Sequence, residues 1–553
     1  MAQSQQLSSY SQGVSPSQPP SQFQTKSLQA SQSQLTLPAD LPFRVISKTI
    51  GQGAYAFIRK AIPLEQSEPV FAVKFIHKAS AIKHGRITAK QLLLEVSLHH
   101  HIGFHQNIVQ LFDYGQDANW QWVAMELAEG GDLFDKIEAD EGVGEDIAHF
   151  YFTQLIGAVS FMHSKHVAHR DIKPENILLS ASGDLKLADF GLATLTRHKG
   201  HVKPSTFICG SPPYIAPEVL ACGSMSRTTH HSGAVGYLGD LVDIWSSGVV
   251  LFVLLVGNTP WDQPTEASPE FQEYLETNGR TTDTLWDNLP PETLSLLRGM
   301  MRVDPASRFT LEDIRRHPWF TRPNPYMSPN GRVNNPVSLA TKMLESLKID
   351  LNKPFTASQS TQASDNMDTD GFDLSTKLAS TQPETPVSDM LFDWERPARM
   401  EANDGWKSWD RLVEDPTLSQ FSATPTVPLS LTQHAQRFRD IVPSHSLTRF
   451  LSHLSFSLLL PLISEALGRL GVPVSNIPQS ALEGREDMTW IKIVTVDGRA
   501  CGLRGDVVVE RMWGDAEGLL EVRFIKAKGD PLEWRRFFKK VVVLCKDGVY
   551  IPQ

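Results

Sequence analysis

Cysteine is scarce in this chain. Its 553 residues contain four cysteines, Cys209, Cys222, Cys501 and Cys545, and no two of them stand in C-x-x-C spacing. This pattern excludes a zinc site of the usual spacing and gives no indication of a disulfide framework. We therefore expect four reduced thiols in an intracellular protein.

Long hydrophobic runs and an excess of positive charge are lacking as well. The longest apolar runs, Val249–Val256 and Leu458–Ile463, are far shorter than a bilayer span. The N-terminus does not show the basic and then apolar pattern of a signal sequence. The net charge of −10 argues against a dominant nucleic-acid-binding surface. We expect no transmembrane segment and no direct nucleic-acid binding.

Two stretches contain too few large apolar residues to form a core. Residues 1–42 are rich in Ser and Gln, and residues 321–442 are rich in Pro, Ser, Thr, Asn and Asp. Such segments cannot bury enough surface to offset the entropy lost on ordering, so we expect both to be disordered. The sequence therefore predicts ordered domains at 43–320 and at 443–553.

The first ordered domain contains an octapeptide with the chemistry of phosphoryl transfer. Residues 169–176 read HRDIKPEN. Phosphoryl transfer needs a carboxylate that orients the attacking hydroxyl, a cation that neutralises charge, and an oxygen ligand for a metal ion. Asp171, Lys173 and Asn176 supply these three parts within six residues.

Further motifs surround the octapeptide in a consistent order. The glycine-rich stretch at 50–58 has an alanine in place of its third usual glycine, so it would be weak evidence alone. Lys74 ends an apolar run, and Glu95 follows at the spacing of an ion-pair partner. Asp189 begins an Asp-Phe-Gly triplet that lies 18 residues beyond Asp171. This set is similar to that of the protein kinases, and the resemblance implies ATP and Mg²⁺ as cofactors, with Asn176 and Asp189 as the metal ligands.

The ordered set resembles the protein kinases over residues 44–320, and Lys173 is typical of the serine/threonine branch. The resemblance implies an α+β, bilobal protein-kinase fold with a β-rich N-lobe and an α-rich C-lobe. It implies that Met125 is the gatekeeper and that the backbone of Glu126 and Ala128 pairs with adenine. The residues that would hold the nucleotide are Ile50, Gly51, Gly53, Ile58, Ala72, Lys74, Glu95, Met125, Glu126, Ala128, Asp132 and Asp189.

Other positions of the kinase pattern carry structural or substrate-binding expectations. Ser211 should reach Asp171 and Lys173, and a buried pair should join the arginine at 308 to the glutamate at 218. Asp132 could cap a helix, contact ribose, or do both. Together with Glu175 it would favour a substrate arginine near the target hydroxyl, although Glu175 could also merely solvate its loop.

Four stretches narrow the resemblance to the checkpoint kinase 1 family, the effectors of the DNA-damage response. They are EGGDLFDKIE at 129–138, the segment 169–179, DFGLAT at 189–194, and the segment 259–274 with PWDQP at 260–264. The resemblance implies protein substrates among the phosphatase and kinase regulators of the cell cycle, upstream DNA-damage sensor kinases, checkpoint adaptor proteins, and a nuclear as well as cytoplasmic location. It implies regulation at Ser/Thr-Gln pairs, of which Thr381, Ser419 and Thr432 are candidates; compositional coincidence is the alternative.

The last hundred residues regain the pattern of a small α+β domain. We expect a helix over Thr448–Leu470 interrupted at Pro461, strands at 490–496, 504–510 and 519–526, and a helix beginning at Asp530-Pro531. The sequence GDPLEWRRFF at 529–538 resembles the kinase-associated C-terminal domain, which would dock on the kinase and restrain it. Alternatively, the basic face of the last helix is only solvated or binds anionic lipid.

Some features have plainer expectations, and two other functions remain open. The histidines at 99, 100, 101 and 105 lack ligand partners, so we expect solvated side chains instead of a metal site. The Gly/Ser/Thr/His-rich insertion over Cys222–Leu241 should be a surface loop.

Two alternative functions remain open. One is a metabolic-stress kinase, which would respond to energy depletion. The other is a scaffold that acts through its tail and Ser-Gln pairs and would function without catalysis.

Overall fold

Strands dominate the beginning and the end of the described chain, and helices dominate its middle. The computed structural model describes residues 37–38, 40–52, 56–83, 88–225, 236–352, 416–422, 427–474, 478–484, 487–497, 501–512 and 518–551. Residues 42–553 form one unit by their contacts, and of residues 1–41 only 37, 38, 40 and 41 are described. The predicted disorder of residues 1–42 therefore concerns residues that lie almost wholly outside the described part.

The strands fall into the two lobes of the kinase and the tail domain, which we define as residues 443–551. They are β1 (Phe43–Gln52), β2 (Ala56–Pro63), β3 (Phe71–His77), β4 (Leu111–Gln116), β5 (Trp120–Met125), β6 (Gly131–Asp132), β7 (Val167–Ala168), β8 (Ile177–Leu179), β9 (Leu185–Leu187), β10 (Thr194–Leu195), β11 (Arg197–His198), β12 (His201–Val202), β13 (Arg449–Ser452), β14 (Met488–Val496), β15 (Gly502–Arg511) and β16 (Leu520–Lys528).

The helices are mostly those of the larger, C-terminal kinase lobe. They are α1 (Lys78–Lys83), α2 (Ala89–Ile102), α3 (Glu145–Ser164), α4 (Pro217–Met225), α5 (Gly239–Val256), α6 (Pro269–Glu276), α7 (Pro291–Met300), α8 (Leu311–Arg316), α9 (Pro318–Thr321), α10 (Pro336–Ser346), α11 (Leu429–His434), α12 (Phe456–Arg469), α13 (Gln479–Leu482) and α14 (Pro531–Leu544).

The first lobe is an antiparallel five-stranded sheet in the order β1-β2-β3-β5-β4. Its core is aromatic, and the Phe43 ring makes edge contacts with Phe75 and Trp122. Because side chains alternate along a strand, Lys74 points away from the buried neighbours Val73 and Phe75. The sheet thus holds Lys74 on the side opposite its aromatic core.

The second lobe is built around α5, which is buried along most of its length. This helix is long and apolar enough to be considered as a membrane span, but 78% of that stretch is buried inside the protein. It is therefore the core helix of the lobe. The α+β, bilobal kinase fold is confirmed.

The kinase lobe continues beyond the predicted boundary at residue 320. Helix α10 begins with an Asn335 cap and packs Leu339, Met343 and Leu344 into the same core. Residues 416–422 and 427–442 also have defined structure, with Phe438 fully buried. The expected disorder of 321–442 is wrong for these segments, because apolar residues at helical spacing were hidden in a polar composition. Residues 353–415 lie outside the described part.

The tail domain has its own core beneath a four-stranded antiparallel sheet in the order β13-β16-β15-β14. Helices α12 and α14 contribute Leu459, Ile463, Phe538 and Val541 to that core. The three predicted strands and the capped helix after Asp530 are present.

The single helix expected over 448–470 is wrong. Its first part is β13, which pairs with β16, and helix α12 begins only at Phe456. Pro461 does not interrupt α12, because one missing backbone hydrogen bond is outweighed by the buried apolar face.

Candidate active site

Strand β3 and helix α2 bring the predicted lysine and glutamate together. The Nζ atom of Lys74 lies 2.7 Å from a Glu95 carboxylate oxygen and 3.3 Å from an oxygen of Asp189. Thr88 fixes the start of α2 through a capping box with Gln91. The ion pair that the sequence predicted is present, and it places a cation at the mouth of the cleft between the lobes.

The segment between β7 and β8 gathers the residues of the octapeptide. Lys173 Nζ lies 3.0 Å from Asp171 Oδ2, and the Asn176 amide donates to the Asp171 carbonyl at 2.8 Å. Asp243, on buried helix α5, accepts hydrogen bonds from two backbone amides of this loop at 2.8 Å each. The loop is therefore fixed to the core, and its functional side chains project from it.

The substrate-docking turn brings a hydroxyl to the same place. Ser211 Oγ donates to Asp171 Oδ1 at 3.1 Å and accepts from Lys173 Nζ at 2.7 Å. Burial alone would lower the pKa of Lys173, but the charges of Asp171 and Glu175 outweigh burial and raise it. Lys173 therefore remains a cation beside the carboxylate, as the sequence predicted.

The remaining nucleotide-site residues lie on the first lobe and its connection to the second. Ala72 pairs with Met125 across β3 and β5, and Gly51 pairs with Ile58 across β1 and β2. The side chain of Glu126 forms an ion pair of 2.6 Å with a lysine of β9. Ile50 lies next to Gly51 on β1, and Ala128 lies in the connection between β5 and β6. Gly53 lies outside the described residues. The nucleotide-binding roles of this group stay predictions.

The activation segment is held by hydrogen bonds from Arg170 and Tyr237. Arg170 donates to the Leu192 carbonyl, to Ser205 Oγ and to the Tyr237 hydroxyl, at 2.8, 2.7 and 3.1 Å. Tyr237 in turn donates to the Phe207 carbonyl at 2.6 Å. The expectation of a surface loop over 222–241 is wrong at the C-terminal end of this insertion, since Tyr237 is buried. Residues 226–235 lie outside the described part.

His99 is a functional-site residue that sequence reasoning missed. Its ring stacks on Phe190 of the Asp-Phe-Gly triplet with centroids 4.4 Å apart, and Nε2 bonds the Val109 carbonyl at 2.7 Å. The expectation of a solvated side chain is wrong for His99, which is 8% exposed, although His100 is exposed. The sequence signal that could have placed His99 near the site was its position four residues after Glu95, one turn along the same face of α2. Among the described residues, no cluster of three or more His, Cys, Asp or Glu could hold a metal.

Comparison with known proteins extends the match over nearly the whole chain. A family model described as protein kinase domain matches residues 44–320. Serine/threonine-protein kinase chk1 of Schizosaccharomyces pombe is 36% identical over 501 residues, covering 90% of this chain and 95% of the relative. The chain belongs to the checkpoint kinase 1 family of serine/threonine protein kinases. Serine/threonine-protein kinase CHK1 of Saccharomyces cerevisiae is 34% identical over 92% of this chain and 97% of its own. CBL-interacting protein kinase 20 of rice, at 32% identity, aligns with only 64% of this chain.

Members of the checkpoint kinase 1 family use ATP and a divalent metal ion, and this site fits them. The Asn176 amide nitrogen donates to the carbonyl and to a carboxylate oxygen of Asp171, so the amide oxygen is the atom that would hold a cation. The Asp189 carboxylate faces Lys74 across the cleft. An amide oxygen and a carboxylate are the hard ligands that Mg²⁺ accepts alongside phosphate oxygens.

The tail domain of this checkpoint kinase 1 relative docks on the second kinase lobe through charged side chains. Arg535 lies 3.0 Å and Lys539 2.7 Å from the carboxylate of Glu138, which is fully buried. Arg536 lies 2.6 Å from the exposed carboxylate of Asp140. The alternative of a merely solvated basic face is therefore wrong for these three residues, whose partners lie about 400 positions earlier in the sequence.

The candidate regulatory residues lie in different settings. Ser419 is in a short 3-10 helix, Pro416–Phe421, where neighbouring Gln420 is buried and accepts a 2.8 Å hydrogen bond from Arg535. Thr432 lies in α11 and bonds the Leu429 carbonyl. Thr381 lies outside the described residues. The regulatory roles of all three stay predictions.

Proposed function

We propose that this kinase transfers the γ-phosphate of Mg-ATP to Ser/Thr residues of cell-cycle phosphatase and kinase regulators in the DNA-damage and replication checkpoint. We also propose that its tail domain restrains this activity. A single observation carries the catalytic part: a serine hydroxyl lies 3.1 Å from Asp171 and 2.7 Å from Lys173. Ser211 shows that this carboxylate and this cation can hold one hydroxyl between them. A substrate hydroxyl presented there would meet the same groups.

Each catalytic side chain has a task that its contacts support. Bound Mg-ATP supplies the phosphoryl group and shields its charge. Asp171 orients the attacking hydroxyl and accepts its proton, and Lys173 steadies the transferring phosphate. Asn176 is held by Asp171 through its amide nitrogen, and its amide oxygen would hold the metal ion. Lys74, fixed by Glu95, binds the nucleotide phosphates.

The experiment for catalysis is peptide phosphorylation by the full-length protein with Mg-ATP. The peptide carries arginine three residues before its serine, because Asp132 and Glu175 offer two carboxylates beside the groove. Asp171→Asn should lower turnover by orders of magnitude while nucleotide binding persists, and unchanged turnover would refute the assignment. In cells, an Asp171→Asn chain that rescued loss of the kinase would favour the scaffold, and rescue tied to energy depletion would favour the metabolic-stress kinase.

The proposal for regulation rests on the docked tail domain and on Ser419. Gln420 donates to the carbonyls of Leu447 and Arg449 and also accepts from Arg535, so it ties the linker to the tail. An upstream sensor kinase that selects Ser-Gln pairs could reach Ser419 only after Gln420 leaves these bonds. We propose that checkpoint adaptors bring such kinases to the nuclear pool of this enzyme. Phosphorylation of wild type, but not of Ser419→Ala, after DNA damage would support this step.

A further inference from the structure

The two kinase lobes are joined by backbone pairing as well as by the chain between β5 and β6. The segment 107–110, which precedes β4 of the first lobe, runs beside β9 of the second lobe. The Val109 amide donates to the Leu187 carbonyl, and the Leu187 amide donates to the Asn107 carbonyl, at 2.9 Å each. The side-chain amide of Asn107 also donates to the Leu185 carbonyl at 3.1 Å. Strand β9 is therefore attached to the entrance of β4.

Lys186 extends from the middle of β9 toward the other connection between the lobes. Because side chains alternate along a strand, Lys186 points away from the core that Leu185 and Leu187 enter. Its Nζ atom lies 2.6 Å from a carboxylate oxygen of Glu126, the first residue after β5. The lysine side chain is 10% exposed and that of the glutamate is 26% exposed. Lysine is seldom buried this far without a charged partner, so the pair is part of how the lobes are joined.

The Glu126 carboxylate makes a second contact, with the first lobe. Its other oxygen accepts a hydrogen bond from the Gln110 amide at 3.2 Å, and the Glu126 amide donates to the Gln110 carbonyl at 2.9 Å. One carboxylate thus connects a lysine of the second lobe to the backbone that enters β4. Since the Glu126 amide is already bound, the carbonyl is the backbone group through which this residue could bond adenine.

The resemblance to the protein kinases predicts that the backbone of Glu126 and Ala128 pairs with adenine. We propose that Lys186 is a positioning residue for this pairing and that it acts through the Glu126 carboxylate. This inference deepens the proposed function and rests on its nucleotide site. Without Lys186 the carboxylate has no cation to hold it, and the backbone of 126–128 is no longer fixed against β9. A misplaced carbonyl forfeits about one hydrogen bond to adenine, which is about a tenfold loss of nucleotide affinity.

The test is calorimetric binding of two ligands to the full-length protein, Mg-ADP and Mg-tripolyphosphate, which has no adenine. Lys186→Met keeps the length of the side chain and removes its charge. We expect its Kd for Mg-ADP to rise about tenfold and its Kd for Mg-tripolyphosphate to stay as in wild type. The phosphates would be bound by Lys74 and, through the metal, by Asp189, which lie on other elements. A loss of general stability would weaken both ligands alike.

Three further variants sharpen the test. Lys186→Arg keeps the cation and should restore most of the affinity for Mg-ADP. Glu126→Gln breaks the same pair from the other side, so the double variant with Lys186→Met should lose no more affinity than either single variant. Arg322→Met removes a cation that is 24% exposed and lies 2.8 Å from Glu145 in the second lobe, and this matched control should bind Mg-ADP as wild type does.

Steady-state kinetics give an independent measurement on the same proteins. Lys186→Met should raise the KM for ATP about tenfold and leave kcat and the KM for the peptide as in wild type, because the lost interaction is with the bound nucleotide and not with the transferring phosphate. A lower kcat with an unchanged KM for ATP would overturn the positioning role.

The outcomes separate this inference from the proposed function. Equal Mg-ADP affinities of Lys186→Met and wild type would overturn the role of Lys186 and leave the kinase assignment intact. Equal losses for Mg-ADP and Mg-tripolyphosphate would also overturn it, since the lysine would then support the fold as a whole. If wild type neither binds Mg-ADP nor phosphorylates the peptide, the proposed function falls and takes this inference with it. A loss confined to Mg-ADP supports both.

Discussion

Replacing His99 by leucine tests whether the kinase depends on a neutral histidine beside Phe190. The ring of His99 is buried between helix α2 and the Asp-Phe-Gly triplet, with Lys74 nearby. Burial lowers the pKa of His99 from 6.5 to about 4, and the bond to the Val109 carbonyl only partly opposes it. The fold therefore holds this side chain without charge.

The sign and size of the effect follow from that pKa. The unfolded chain takes up a proton as the pH falls below 6.5, whereas the folded chain does not until about 4. The stability contributed by neutral His99 is complete above pH 6.5 and is lost as the pH falls toward 4. At about pH 5, roughly 1.5 units below the unfolded value, the loss is about 2 kcal/mol, or about thirtyfold in the opening equilibrium.

Hydrogen exchange of α2 in the full-length protein measures this loss, because protection factors remove the intrinsic pH dependence of exchange. Between about pH 7.5 and about pH 5, wild-type protection should fall about thirtyfold more than that of His99→Leu. His100→Leu alters the exposed neighbour and should follow wild type. If His99→Leu loses as much protection as wild type, His99 is not held neutral by burial.

Three further changes probe other parts of the site. Asp171→Asn should lower kcat about a thousandfold with nucleotide affinity retained, as measured by peptide phosphorylation and nucleotide binding; comparable turnover would contradict the assignment. Arg308→Met removes the cation that lies 2.7 and 3.0 Å from the two carboxylate oxygens of Glu218. The free energy of unfolding, measured by denaturant titration, should fall by about 3–5 kcal/mol. A loss below about 1 kcal/mol would show that the pair contributes little to stability. Tyr237→Phe removes the hydroxyl that donates a hydrogen bond to the Phe207 carbonyl. Because this buried hydrogen bond orders the activation segment, its loss should lower kcat about tenfold. Wild-type turnover of the variant would show that the hydrogen bond does not order the segment.

The parts of the site that the sequence predicted are those whose chemistry is local. Asp171, Lys173 and Asn176 stand within six residues, so their joint role is readable without knowing the fold. The pairing of Lys74 with Glu95 was predictable because a strand followed by a helix brings those two positions together. The tail strands could be predicted from alternation along each strand.

The parts that escaped prediction depend on contacts between distant segments. The burial of His99 is set by Phe190, about ninety residues later, and that of Tyr237 by the folded activation segment. Docking of the tail was expected from the resemblance, but the partner of the basic residues of α14 could not be named, because Glu138 lies in the other domain. The polar composition of residues 321–442 predicted disorder, and this was wrong for α10, because its few apolar side chains all lie on one face.

Helix α10 determines where the catalytic body can be cut for expression. Tyr151 donates a hydrogen bond to the Met343 sulfur at 3.2 Å, and Leu339 and Leu344 are buried beside it. A recombinant fragment that ended at residue 320, where the family match ends, would lack α10. The apolar surface that α10 covers beside Tyr151 would then be exposed to solvent, and the fragment would be prone to aggregation. A fragment extended to Asn352 retains α10 and keeps this surface covered.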